Sequence, residues 1–393
     1  MKNSRDYGRL WLRNLLNAAL LTALIISAGI ATFAQTAATR PDSLSAGEFS
    51  RIIRDFSEDG GYFFSDNFTS NEDSYLTVLD KMRQLGATGG AYVGVGPEQN
   101  FTYIAKIRPC IAFIVDIRRQ AMIQHLMYKA LFHLSATRLD FLSRLLSRPL
   151  DAKAPGLKDS IDETLVYLSN LKPSDKFYAE NLAAIRKTIR EDSQFPLSTE
   201  DQESLEYVYR NFRNRGFDVG FDIDGRLSDR FGHLPNLREI IAQKDLNGKQ
   251  ENFLANVEDY NFVREMHRRN MIIPVVGDFA GKKALTQVAA YLRSHKYTLT
   301  AFYLSNVEIV LFQYRSRSMF TDFVENVRKL PSNDQSLLIR STFSYYGHPT
   351  QLPAYSLCTM LQSLPAFLRN FDKGRYREYF DVILTDYIEA YKR

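Results

Sequence analysis

Three glycine- or acid-bearing stretches in this sequence each follow an apolar run. Gly94 and Gly96 close the run from Ala91, Asp116 closes the run from Ile111, and Gly277-Asp278 closes the run from Met271. Residues without side chains let a backbone turn tightly and approach a ligand. A helix starting near Glu98 would point its N-terminus at the same place. Asp116 follows Gly96 by twenty residues. At that separation an acid ending the next strand can accept hydrogen bonds from ribose hydroxyls. These types and spacings suit recognition of a nucleoside-bearing small molecule. Each position also has a plain reading: the glycines as turn residues, and Asp116 and Asp278 as caps of the helices that follow.

The elements that must position these residues are legible from periodicity. Phe49 to Phe56 reads as a short helix. Ser74 to Leu85 reads as another, with Leu76, Leu79, Met82 and Leu85 on one face. A βαβ pattern follows: strand Ala91 to Val95, helix Glu98 to Ile107, and strand Ile111 to Val115 ending in Asp116. Ile117 to Leu134 is a strong helix that runs on towards Leu146. Residues 150–270 are mostly helical and polar, with prolines as breaks, and Gly216 to Gly225 reads as a hairpin or irregular loop. The strand pattern resumes at Met271 to Val276, followed by helix Gly281 to His295 and strand Leu299 to Leu304. Leu337 to Phe343 reads as a further strand, and Ala366 to Tyr391 as a helical segment broken near Gly374. Alternating strands and helices predict an α/β class. The specific expectation is a Rossmann-like, doubly wound, mostly parallel sheet with a large helical insertion between strands two and three. In such sheets ligands lie at the carboxyl ends of the strands.

These motifs resemble those of class I S-adenosylmethionine-dependent methyltransferases. VGVGPEQN (93–100), with Gly94, Gly96, Glu98 and Asn100, resembles their first motif, which lines the methionine part of the cofactor. IVDIRRQ (114–120), with Asp116 and Ile117, resembles the second, whose acid holds the ribose. VVGDF (275–279), with Gly277, Asp278 and Phe279, resembles the third, which contacts the adenine. FYLSNVE (302–308), with Ser305, Asn306 and Glu308, resembles the edge that faces the transferred methyl. SDNFTSNE (65–72) resembles a polar segment over the cofactor. The resemblance implies an S-adenosylmethionine-binding protein of unknown substrate, with Asn306, Glu308 and Glu72 as catalytic candidates. Three features depart from the pattern: Glu98 stands where a third glycine is usual, no Asn/Asp-Pro-Pro-Tyr signature follows strand four, and the stretch between strands two and three is long. NAD ranks lower, because its fingerprint wants glycine where Gln99 stands. A non-catalytic binding module that keeps the fold is the alternative.

Composition narrows the classes. A net charge of +5 without a run of like charges gives no electrostatic support for nucleic-acid binding. Cys110 and Cys358 read as core thiols, Cys358 within a helical stretch. Without a Cys/His cluster no metal is expected. His125 and His133 read as packed side chains, and Arg118 and Arg119 as surface ion pairs. Lys2, Arg5, Arg9 and Arg13 precede an apolar stretch from Leu15 to Phe33, ending in Thr32-Phe33-Ala34. This is the pattern of a signal peptide, with an uncleaved anchor as the alternative. The body is then exported (periplasmic or secreted) or inner-membrane-anchored, and membrane contact is confined to residues 10–34 of an uncleaved leader. The expected organisation is a leader at 1–34, a linker and short helix at 35–60, a first Rossmann-like part at 61–149, the insertion at 150–270, and a second part at 271–393.

Overall fold

The computed structural model describes residues 40–156, 158–221, 233–312 and 317–391. The leader and residues 222–225 of the Gly216 to Gly225 stretch lie outside the described residues, while Gly216–Asp218 forms a 3-10 turn.

A seven-stranded mixed sheet organises the chain. Its strands are β1 (Ala91–Gly94), β2 (Ile111–Asp116), β3 (Ile272–Val276), β4 (Leu299–Ser305), β5 (Leu337–Phe343), β6 (Leu357–Ser363) and β7 (Tyr387–Ile388). The spatial order is β3-β2-β1-β4-β5-β6-β7. The first five strands pair in parallel, whereas β6 runs antiparallel to β5 and β7 antiparallel to β6. This is an α/β architecture compatible with a Rossmann-like fold. Every residue of β1, β2, β3 and β5 is buried, as expected of strands covered on both faces.

The N-terminal helix Ala46–Phe56 shows how local pattern becomes packing. Ser45 accepts from Glu48 N at its start, satisfying one orphan donor. Phe49, Ile52, Ile53 and Phe56 form its buried stripe. The flanks of this helix are tied to β3 and its approach: Leu44 N donates to Arg269 O at 3.0 Å and Glu58 N to Val276 O at 2.9 Å. The expected linker is therefore anchored from Leu44 onwards.

Several expected elements are corrected. The helix expected from Ser74 is regular only over Leu79–Gln84. The Thr77 hydroxyl bonds Ser74 O at 2.7 Å, and such local bonds compete with the helical ladder. The helix after β2 is Arg119–Leu134 and does not run on, because Thr137 caps a separate helix, Arg138–Leu145. The helix after β3 begins at Ala284 rather than Gly281. Cys358 lies in β6, opposite Thr342, rather than in a helix. The run Leu357–Ser363 is almost wholly buried, and a short, fully buried run has no period that separates strand from helix. Cys110 is exposed rather than part of the core, Cys358 is buried, and neither is in a disulfide. The C-terminal segment comprises helices Leu364–Asp372 and Tyr379–Leu384 followed by β7. No helix among the described residues is long and apolar enough to cross a membrane.

Candidate functional site

A cleft opens at the carboxyl ends of β1 to β5, across the point where β1 neighbours both β2 and β4. Its empty space is about 1190 Å³, open mouth included. The loop after β1 forms one wall through Val95, Gly96 and Pro97. Gly96 has φ +77° and open space where a Cβ would stand. Gly94 is different: a Cβ there would come within 2.0 Å of Asn100 Oδ1, so its smoothness serves packing behind the loop. Asn100 is the tie that shapes the loop, its Nδ2 lying 2.8–3.0 Å from the carbonyls of Val95, Gly96 and Pro97. His125 Nε2 also lies 2.9 Å from Gly96 O. Burial lowers the His125 imidazole to about 4, so the ring is neutral and Nε2–H donates.

Glu98 and Asn100 are buried and do not line the cleft. Glu98 turns away from it, accepting from Ser70 N at 3.2 Å with Oε1, while Oε2 has no partner among the described residues. Burial raises its carboxyl to about 7.

The second wall belongs to β2. Asp116, Ile117 and Arg118 line it. Arg118 is 7% exposed, so it is not the surface pair expected from sequence. It grips Asp116 with Nε at 3.1 Å and Nη2 at 3.0 Å, and its Nη1 donates to Ser65 O and Asp66 O. It thereby clasps the 65–66 segment onto the strand end. Arg119 meets buried Asp201 in a bidentate pair at 2.7 and 2.8 Å, and Tyr207 OH reaches Asp66 Oδ2 at 2.9 Å. The helix Thr199–Arg215 is thus fastened beside the cleft.

After β3, Gly277, Asp278 and Phe279 line the cleft. A Cβ on Gly277 would sit 2.2 Å from Ala284 Cβ, so only glycine lets the next helix pack so close. Asp278 does not cap that helix. Glu58 does, accepting from Lys283 N at 2.7 Å and Ala284 N at 2.9 Å, and from Asp278 N at 3.0 Å. No pattern in the sequence links Glu58 to a helix more than two hundred residues away.

The last wall, from β4 and β5, is mostly apolar. Val307, Ile309, Leu311, Phe343 and Tyr345 line it, along with Ser305 and Asn306. Ser305 has φ +52°, and the β4–β5 register shifts between Tyr303 and Ser305. A non-glycine residue in that region is strained, and the strain lies on the cleft floor. Behind Ser305 lies Glu72, completely buried. Its Oε1 accepts from Ser305 Oγ at 2.6 Å and Tyr303 OH at 2.8 Å, and its Oε2 from Gln99 Nε2 at 3.1 Å. Burial raises the Glu72 carboxyl, against the pull of these three donors. Glu308 is also buried but lies outside the cleft, 2.8 Å from Arg340 Nε.

The structure thus gathers Gly96, Asp116, Ile117, Gly277, Asp278, Phe279, Ser305 and Asn306 around one opening. It places Gly94, Glu98, Asn100 and Glu72 behind its walls, and Glu308 away from it. The chain belongs to the family described as Domain of unknown function (DUF7790). That family's model matches residues 67–386, a span holding β1 to β6 and every cleft-lining residue named above. No curated protein matches the chain. Among the described residues no group of three or more His, Cys, Asp or Glu could hold a metal ion.

Sequence reasoning missed Phe63, Phe64 and Phe221, aromatic residues of the lining, because they lie outside any strand end. It passed over Thr69 as well. Thr69 lines the cleft, is fully buried, and its Oγ1 has no partner among the described residues. The polar run 65–72 was a signal for it, but which hydroxyl faces inward depends on the fold.

Proposed function

We propose that this cleft binds S-adenosylmethionine and that the chain is a methyltransferase-like protein whose acceptor is unidentified. One observation carries the reading: the cleft unites the Gly96 loop, Asp116 and Asp278 at the carboxyl ends of β1, β2 and β3. In that arrangement Asp116 would hold the ribose, Asp278 and Phe279 the adenine, and the loop the methionine part. The residues present suit such a group. Gly96 leaves room for backbone approach, Thr69 offers an unused hydroxyl, and Glu98 keeps its carboxylate out of the cleft. Bound S-adenosylmethionine supplies an electrophilic methyl group, so the protein's task is alignment of the acceptor. NAD ranks lower because Gln99 stands where the dinucleotide fingerprint wants glycine.

The helical stretch 150–270 fits an insertion covering one side of a Rossmann-like site. Phe221 from that stretch lines the cleft, and the Arg119–Asp201 pair secures it. The basic, apolar leader supports an exported or anchored body.

A second reading, a non-catalytic binding module, is favoured by the state of Asp116. Both its oxygens already accept from Arg118, leaving fewer lone pairs for ribose hydroxyls. Calorimetric titration of the purified protein with S-adenosylmethionine and S-adenosylhomocysteine decides between them. Binding in the micromolar range, abolished by Asp116→Ala in protein that still melts cooperatively, is expected. Well-folded protein that binds neither compound sinks the cofactor reading and leaves the module.

A further inference from the structure

Two carboxylic acids are buried beside the cleft without a cation. Glu72 is 0% and Glu98 4% exposed, and neither forms an ion pair among the described residues. A hydrogen-bonded chain joins them: Glu72 to Gln99, Gln99 to the Ser70 hydroxyl, and Ser70 N to Glu98. Burying a carboxyl without a counter-charge is costly, and proteins that keep such a group commonly use it. Among the described lining residues the one cationic side chain is Arg118, and Asp116, Ser65 O and Asp66 O take up its donors. Among the described lining residues no cationic side chain is therefore left without an acceptor, while Asp278 adds a second acid.

Glu72 is tied to the cleft lining: its Oε1 accepts from Ser305 and Tyr303, which both line the cleft. Ser305 takes its strained backbone conformation where its hydroxyl reaches that oxygen. We propose that Glu72, acting through Ser305 and Tyr303, forms a charge-selective subsite that favours an organic cation over its neutral counterpart. Glu72 is a positioning residue in this scheme, since it touches the ligand only through the two hydroxyls. The proposal rests on the S-adenosylmethionine reading. The sulfonium of S-adenosylmethionine is the cation, and the thioether of S-adenosylhomocysteine is the same skeleton without the charge. A subsite of this kind holds the methyl donor and loosens its grip once the methyl group has left.

The other groups facing Glu72 do not supply the effect. Burial raises the neighbouring Asp73 carboxyl as well, but its oxygens are held by Ser356 N and Leu357 N and it does not line the cleft. Tyr92, Tyr103 and Tyr303 surround it, and burial lifts all three phenols well above their ordinary range, so they stay neutral. Burial also raises Glu72 itself, so its charge appears as pH rises. A cation in the cleft gains from that charge and a neutral thioether does not.

The test is calorimetric affinity of the full chain for both compounds across about pH 5.5 to 8.5. The ratio of S-adenosylmethionine to S-adenosylhomocysteine affinity is expected to rise roughly tenfold with pH, about 1.4 kcal/mol. Glu72→Gln, isosteric and neutral, is expected to flatten the ratio, while Glu98→Gln leaves the rise in place. Thermal melts of both variants verify the fold. If both compounds bind and their ratio is flat in the native chain, the proposal fails and the cofactor reading stands. A rise that survives Glu72→Gln but vanishes in Glu98→Gln also overturns it. If neither compound binds, the proposal falls together with the reading beneath it.

Discussion

Glu72 and Glu308 are both buried glutamates near the end of β4, and their surroundings differ in one respect. Glu308 meets Arg340, itself 1% exposed, which also donates to Gln362 Oε1 at 2.6 Å and Val382 O at 3.2 Å. Burial raises the Glu308 carboxyl and the Arg340 charge works against it. A guanidinium does not lose its proton in a protein, so Glu308 keeps the compensating charge. Among the described residues Glu72 receives only neutral donors: a serine, a tyrosine and an amide. Counter-charge, more than burial, separates a carboxyl that locks two strands from one free to change its protonation. The first is a structural pair under the antiparallel edge of the sheet; the second sits under the cleft.

Three substitutions can break or sharpen that contrast. The largest effect is expected from Arg340→Met, which strands the Glu308 charge in the interior. Removing one member of a buried pair costs about 3–5 kcal/mol, read from urea unfolding at neutral pH. A loss below ~1 kcal/mol would mean that Glu308 is neutral and the two glutamates are alike.

Glu98 comes next. Its folded carboxyl is raised from 4.5 to about 7, so the folded state holds the proton more tightly than the unfolded chain does. The stability this contributes is complete below pH 4.5 and is lost as pH rises to about 7. Over that window the native chain should lose on the order of 3 kcal/mol that Glu98→Gln retains. Parallel pH slopes in the two proteins would show that Glu98 ionises as freely as an exposed acid.

The smallest effect is expected from Tyr303→Phe, which removes one donor from Glu72. The loss should be about 1 kcal/mol and larger at about pH 8 than at pH 5, because the donor favours the ionised form. Equal losses at both pH values would mean that Glu72 keeps its proton throughout, as a purely structural acid does.

Much of the sheet was legible because its parallel strands are short apolar runs, the first three of them closed by glycine or aspartate. Leu337–Phe343 was read to the residue, and β2 was read with Asp116 at its end. Cys358 was misplaced because a run buried on all sides has no polar face to reveal its period. The site was legible only where a side chain follows a strand directly, as with Asp116, Asp278 and Ser305. Arg118 looked like a surface residue because nothing local says that the backbone of residues 65–66 will close over it.

What the sequence by itself determines is the alternation of elements and the strand ends at which polar residues stand. Local patterning carries that information, because hydrophobic period and turn residues act over a few positions. Only the tertiary structure decides which acids carry a counter-charge. Glu72 meets Ser305 across more than two hundred residues, and Glu308, in the helical turn after β4, meets Arg340 in β5. Charge compensation depends on distance in space and on the loss of water, and neither is written in the order of residues.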